Sequence, residues 1–505
     1  MDSPEQVTVS NEKSNIYTSS IFDLGISPEY CNGEVSLASL YRNIGWQIKL
    51  EGSTKRFSEQ SVNQYSHDFF SKFKLTNKKI DDENWKIKFN EWSVLLNKSL
   101  ASPYSSNQVN SKYPVLYPFV PDCTLYSGAA RLKGNPWNPG KLIERIICLG
   151  AIRKEEVNFV WEQLFEKLSC NPEDINEDIL ARIITSQFEL LRGKEIIWKL
   201  NPISIESAQI DEEFIESSPV KQFVIDLKKV LELKQKLTRR QWLSSLESLI
   251  RIGTGSYILW LCNINYQLSL YFKDCLNGQR ALNGQELRQF LFSDNSSLLE
   301  LEEKASSINQ IIQNYIKGYT SINYILKKLE LEASDGSINS IDGILKIGSS
   351  IQKKVKNKDW QGANILSEIQ DLNEKDPGLF ACKSGRTKNI FEFLRHSMGQ
   401  KQTADPYKKA YDQSFWLRKK GQYQSAPWIV DMGPASILTL VYCCCYGFDQ
   451  NRTINDLLEH LKRYGIEISP NKLLVSNFLA TLTTLQVVSD SPDAEGGMVI
   501  INPFN

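Results

Sequence analysis

Histidine and methionine are scarce in this chain, with three of the first and four of the second. His67, His396 and His460 stand far apart, so no short motif brings two imidazoles to one metal or beside a nucleophile. Ten cysteines are present, but Cys31, Cys123, Cys148, Cys170, Cys262, Cys275 and Cys382 are scattered, without the closely spaced pairs that zinc sites use. Cys443, Cys444 and Cys445 are consecutive; on a helix they point in different directions and read as small core residues. Neither a metal nor a cofactor is expected. An excess of charge is also missing: 59 basic and 59 acidic residues cancel. That excludes a protein gripping nucleic acid or an anionic membrane over its whole surface, and leaves only local patches. The most apolar stretch, residues 256–272, is interrupted by Asn263, Asn265 and Gln267, and predicts a buried helix instead of a membrane span. The opening MDSPEQVTVSNEKSN lacks the parts of a signal peptide, so the expected compartment is the cytoplasm, where thiols stay free.

Catalytic motifs fail on spacing. A P-loop needs two glycines separated by four residues and then Lys with Ser or Thr, so that amides cradle phosphate and a hydroxyl holds magnesium. GNPWNPGK at residues 134–141 has one residue too many, interior prolines, and Leu142 after the lysine. GTGS at residues 253–256 lacks the dinucleotide-binding spacing and reads as a helix break. Glu232 and Lys234 mimic a nuclease fragment, yet lie in helical periodicity where that chemistry wants a strand. His67 beside Asp68 is a lone neighbour pair, and Asp211, Glu212 and Glu213 read as solvated linker charge. A non-enzymatic protein is the expectation.

What the chain does have is helical pattern. Hydrophobic residues make up 41% and charged residues 23%, the balance of a folded globular protein, and 505 residues call for about two to four domains. NPEDINEDILARIITSQFELLRG offers Asn171 as N-cap, Pro172 at the first helical position, a stripe of Ile179, Ile183, Phe188 and Leu191, and Gly193 at its end. Leu298, Leu301, Ala305, Ile308, Ile312, Tyr315, Tyr319, Ile322, Ile325 and Leu329 recur every three or four residues, the stripe of a long helix or of a pair broken near Gly318. Pro, Ser, Asn and Gly crowd residues 102–140, and an acidic lapse at residues 201–220 marks the expected domain boundary. No repeat of fixed period occurs. The expected division is a disordered tail (1–25), an irregular helical domain (26–205), a helical central domain (218–425) and a C-terminal domain (430–505).

In the last of these, PASILTLVYCCCYGF reads as an apolar helix. TINDLLEHLKRYG opens on Thr453 as N-cap, aligns Ile454, Leu457, Leu458 and Leu461, and ends at Gly465. SPNKLLVSNFLATLTTL has Ser469 at the cap and Pro470 at its first position. QVVSDSPDAEGGMVIINP alternates like two strands around a turn with Pro492, Gly496 and Gly497. Three helices followed by a hairpin resemble the winged helix-turn-helix family. The fold class expected is thus all-α and multi-domain, with a C-terminal winged helix of three helices plus a β-hairpin. The resemblance implies that the third helix enters the DNA major groove through Asn471, Lys472, Ser476, Asn477 and Thr481. Lys472 is the one charged residue on that helix, and the wing carries Asp490, Asp493 and Glu495, which departs from a phosphate-facing wing.

Just upstream, residues 383–420 hold ten Lys or Arg against three acids. Lys383, Arg386, Lys388, Arg395, Lys408, Lys409, Arg418, Lys419 and Lys420 alternate with Phe391, Phe393, Tyr407, Tyr411, Phe415 and Trp416. Cations for phosphates and rings for stacking are what a nucleic-acid surface needs; the alternative is that the rings are core and the cations a solvated face. The leading expectation is non-enzymatic DNA association through Lys383, Arg386, Lys388, Lys408, Lys409, Arg418, Lys419, Lys420, Arg463, Asn471, Lys472 and Asn477, in a subunit of a prokaryotic DNA-modification, restriction or phage-defence system. The rival is a scaffold whose winged helix and long helices bind partner proteins. Cations lining one face favour the first; cations paired with acids favour the second.

Overall fold

A computed structural model of the chain describes residues 13–24, 33–56, 100, 116–126, 138–151, 153–192, 194–203, 210–279, 282–292, 298–357, 361–375, 385–399, 412–421, 426–448, 451–489 and 498–504. The described chain is mostly helical, with a few small sheets. In the N-terminal region, α1 (Gly33–Gly45) runs into β1 (Trp46–Leu50), which turns through Gly52 at φ +79° into β2 (Ser53–Arg56). After α2 (Pro139–Gly150), α3 (Lys154–Leu168) and α4 (Ile179–Leu191), β3 (Ile196–Trp198) pairs with the other side of β1, giving the antiparallel order β2-β1-β3.

The middle of the molecule is organised by α6 (Arg239–Leu276), which follows α5 (Val220–Glu232) and is about 57 Å long at the α-helical rise. A full capping box starts α6: the Thr238 hydroxyl accepts from the Gln241 amide while the Gln241 side chain accepts from Thr238. Helices α1, α2, α5 and six later ones pack on it, among them α7 (Ser306–Lys328), α8 (Ile341–Lys356), α9 (Gly385–Met398) and α10 (Pro434–Cys445). The apolar stretch 256–272 is buried inside α6 as its pattern predicts, and no described helix is long and apolar enough to cross a membrane.

Glycines let the helices of this core close up. The GTGS stretch is not a break: α6 continues through it, because Gly253 admits the Phe223 ring of α5 and Gly255 admits Met398 of α9, where a Cβ would stand 2.2 and 2.3 Å from their atoms. Nor does α7 break at Gly318, whose missing side chain brings α7 against the Asn265 backbone of α6. The stripe Ile308, Ile312, Tyr315, Tyr319, Ile322 and Ile325 is buried as expected. Glycine within a helix costs about 1 kcal/mol relative to alanine, and the close packing it permits offsets that. At the start of α2, Asn138 accepts from Gly140 and Lys141 amides, so the described end of the P-loop-like segment is a helix cap.

Three other expectations are corrected. Residues 13–24, assigned to a disordered tail, are packed: Ile16, Tyr17, Ile21 and Phe22 are buried, and the Ser14 and Ile21 amides donate to Asn323 and Asn339 side chains. Their apolar residues pack beside α7, with the Tyr17 ring edge-on to Tyr319. The helix expected from Asn171 starts at Ile179, capped by Asp178, because Asn171 instead accepts from the Glu173 amide and seeds a turn. This rotates the stripe: Ile179 is 72% exposed while Ala181, Ile184 and Phe188 are buried. The expected boundary near residue 210 separates no independent core, since α5 beyond it packs against α2 and α3 before it, and Asp211 accepts from the Ile341 amide.

The C-terminal part continues from β4 (Leu299–Glu300), the hairpin β5 (Leu417–Lys419) with β6 (Trp428–Val430), and α10. Next come β7 (Arg452–Thr453), α11 (Ile454–Lys462), β8 (Ile466–Glu467), α12 (Pro470–Leu473), α13 (Asn477–Thr484), β9 (Val488–Ser489) and β10 (Val499–Ile500). Thr453 caps α11 in a box with Asp456; Ile454, Leu457 and Leu461 are buried, and Gly465 leaves the helix at φ +72°. Strand β10 returns between β7 and β9 in an antiparallel sheet, and β8 pairs in parallel with β4 of the body. The turn with Pro492, Gly496 and Gly497, and the acids Asp490, Asp493 and Glu495, lie outside the described residues.

Candidate nucleic-acid interface and the contacts that occupy it

Arg386 and Lys388 lie in the first turn of α9, whose later residues Ile390, Phe393, Leu394 and Met398 enter the core. One turn before its end, the Arg395 guanidinium stands over the Phe391 ring (4.9 Å) and over Trp428 of β6 (5.1 Å), and pairs with Glu392 at 3.2 Å. Lys419 faces Trp428 across the β5–β6 register, and burial together with the Arg395 charge holds its ammonium below the usual lysine range. Lys420 is exposed at the hairpin end. So α9 and the hairpin bring Arg395 and Lys419 together. Arg418, by contrast, is paired with Asp431. The rings do not present free faces: Phe393, Phe415 and Trp416 are buried, and the Trp416 indole donates to the Ser248 carbonyl at 2.9 Å. Lys383, Lys408, Lys409, Tyr407 and Tyr411 lie outside the described residues.

The expected third helix is two pieces. After Ser469 and Pro470 start α12, the chain leaves the helix at Leu474 and restarts at Asn477, with Ser476 as the new cap accepting from the Leu479 amide at 3.1 Å. Ser476 is therefore buried and cannot read a base edge, while Asn471 and Asn477 are exposed. Between the pieces, Leu474 and Val475 are 73% and 84% exposed.

The approach to these pieces is taken up by an acidic turn of the body. The Lys472 ammonium donates to Glu300 (2.9 Å) and to Glu303 (2.7 Å), and the Ser469 hydroxyl also donates to Glu300 at 2.9 Å. Glu302 accepts from the Phe478 amide at 2.7 Å, placing a carboxylate on the positive end of α13. To reach it, Glu302 adopts φ +65°, a left-handed conformation costing a residue with a side chain about 1–2 kcal/mol. The turn is held from behind: the Glu302 amide donates to Val430 O (2.8 Å), and the Val430 amide to Glu303 O (3.0 Å). Hydrogen bonds from Lys472 and Ser469 keep Glu300 below the usual carboxylate range, and those to Glu303 and Glu300 push Lys472 up.

Arg463 belongs to another contact. Its guanidinium donates to Gln222 of α5 at 2.8 Å, and Gln222 donates to Asp226 at 2.9 Å. Asp226 is fully buried and also accepts from the Tyr464 hydroxyl (2.8 Å), with the His460 ring nitrogen 2.7 Å away. Burial, then the neighbouring Asp226 charge, pushes the Tyr464 hydroxyl well above the usual tyrosine range. This hub fastens α11 to α5, and sequence reading passed over it. A signal was present: Asp226 falls on the apolar stripe of α5 with Phe223, Leu227 and Val230, where a carboxylate requires buried partners.

Among the described residues, no group of three or more His, Cys, Asp or Glu is placed to hold a metal ion. Cys443 and Cys444 are buried and Cys445 half-buried, with burial raising each thiol above its ordinary range. Glu232 is bound to the Tyr446 hydroxyl, and Lys234 to Glu177 at 3.0 Å. His396 lies against Glu392, and His67 is outside the described residues. No protein-family model matches the chain, and no curated protein matches it.

Proposed function

We propose that this chain is a non-enzymatic assembly subunit whose C-terminal unit is a winged helix that binds a partner protein. The order α10, β7, α11, α12 with α13, then β9 and β10, with the last strand lying between β7 and β9, supports the winged-helix reading. One observation carries the choice of protein over duplex DNA. Lys472, the cation that would meet phosphate, is bound by Glu300 and Glu303, while the neighbouring break shows Leu474 and Val475 to solvent. Phosphate neutralisation supplies most DNA affinity, and exposed branched aliphatics suit a protein contact. The test is duplex and single-stranded DNA binding across a salt series, with Arg418, Lys419 and Lys420 changed to Glu as control. Negligible binding at low salt, together with a discrete protein adduct from a photo-crosslinker at Val475, is the expected result. Steeply salt-dependent binding that the control abolishes would overturn it.

A second reading, nucleic-acid association, is favoured by the convergence of Arg395 and Lys419 on the α9 and β5–β6 face. The setting expected from the sequence, a subunit beside DNA-modifying, restriction or phage-defence enzymes, fits either reading.

A further inference from the structure

We propose that the first turn of α4, with the chain turn just before it, is a second docking face, and that it takes an apolar segment of a partner protein bearing Lys or Arg. This goes beyond the contact proposed at Val475 and is carried by different residues. Because α4 starts at Ile179, its stripe turns so that Ala181, Ile184 and Phe188 enter the core. Ile175 and Ile179 are left 81% and 72% exposed. Ile179 and Ile183 share one face of α4, and Ile183 is half-buried against the core, so this face leads from the core out to solvent. Single exposed aliphatics are ordinary; two beside one another, continuous with the core, are what a partner protein covers.

The face is held in place before any contact. Asn171 accepts from the Glu173 amide at 3.0 Å, Asp174 from the Asn176 amide at 2.9 Å, and the cap Asp178 from the Leu180 amide at 2.9 Å. Arg182 Nε donates to the Pro172 carbonyl at 2.7 Å, and Glu177 reaches inward to Lys234 (3.0 Å) and to the buried Arg239 (3.1 Å). Groups already fixed lose little conformational entropy on binding. The same bonds set the sign of the charge on show. Lys234, Arg239 and Arg182 are engaged within the fold, while Glu173 and Asp174 are exposed beside the isoleucines. An apolar patch with a carboxylate rim is complementary to an apolar segment with a cationic one. Such a rim repels DNA phosphate and anionic lipid. A two-fold contact between copies of this chain would set like carboxylates against each other.

The experiment measures binding of a helical Leu/Lys peptide, and of the same peptide with Glu in place of Lys, to the full chain by fluorescence anisotropy. The variants are I175S/I179S, which removes the apolar anchors, and E173K/D174N, in which Asn keeps the acceptor for the Asn176 amide. All four positions are exposed, so unchanged urea midpoints are expected to accompany the binding changes. The unaltered chain should prefer the Leu/Lys peptide, I175S/I179S should weaken that binding at least about tenfold, and E173K/D174N should remove the preference. Equal binding by the unaltered chain and I175S/I179S would overturn the docking face. A preference for Lys that survives E173K/D174N would overturn its selection by charge. Self-association of the unaltered chain in sedimentation velocity, lost in I175S/I179S, would give the face to a second copy and overturn the partner named. A crosslink at Val475 is independent of all these outcomes, so failure here leaves the C-terminal contact standing.

Discussion

Around α6 the body is closed by glycines against rings and backbone; around α13 the C-terminal unit is closed by carboxylates against donors. At Gly253 and Gly255 neighbouring side chains occupy the volume of a missing Cβ, so any added atom displaces a helix. At Lys472 and Phe478 the contact is made by three glutamates on an exposed turn, which solvent and salt can weaken without moving the core. Between these extremes lies the Asp226 hub, polar but fully buried. The difference teaches that one chain uses shape to make a body permanent and charge to make an attachment adjustable.

The comparison can be broken first at the body's own buried ion pair. Arg251 is fully buried on α6, donating to Asp412 at 2.7 and 3.1 Å and to the Ser397 and Gly399 carbonyls at 2.9 and 2.8 Å. Asp412→Ala leaves that guanidinium short of charge and is expected to cost about 3–5 kcal/mol in urea unfolding. A small loss would mean that the body, too, is held adjustably. Gly253→Ala comes next, at about 2 kcal/mol, since the new methyl must push Phe223 and α5 away from α6. An unchanged midpoint there would remove the argument that close approach is what keeps α6 continuous.

At the hub, Asp226→Asn is expected to cost about 1–3 kcal/mol, and to speed proteolysis of the C-terminal unit before that of the body. Equal protection of both parts would show that the unit is not fastened there. The last effect is on pH dependence. Burial outweighs the Arg192 ion pair and raises Asp122 from 3.8 to about 6. The folded state thus holds this proton more tightly than the unfolded state, so stability from it is present below the unfolded value and is lost as pH rises through about 6. The urea midpoint of the unaltered chain should fall relative to that of Asp122→Asn between about pH 4 and pH 7. Parallel curves would show that Asp122 is not buried as a carboxylate.

Much of the helical frame was legible because its signals are local. Thr453 with Asp456, Ser469 before Pro470, and the stripe from Ile308 to Ile325 each depend on residues within a turn or two. The misreadings have a shared cause. Gly253 and Gly255 are helix-breaking by propensity, and only the helices packed against them explain why α6 is continuous; at Gly318 the same packing decides for the long helix over the broken pair. Asn171 was an acceptable cap, but Asp178 lay nearer the residues that could be buried. For the candidate interface, cation count was readable and cation state was not. Arg418 and Lys472 look alike as letters to Lys420, yet the first two have carboxylate partners, and Lys472 finds its partners about 170 residues away.

By itself, then, the sequence determined a helical chain without a catalytic motif, the caps and stripes of its main helices, and the order of elements near its C-terminus, because those follow from spacing along one strand of covalent structure. Tertiary structure alone decided which glycines close helices together, that residues 13–24 are packed, that Asp226 is a hub, and that Lys472 answers to Glu300 and Glu303. Charge and packing act through space, and the distance between two residues in space is set by the whole fold.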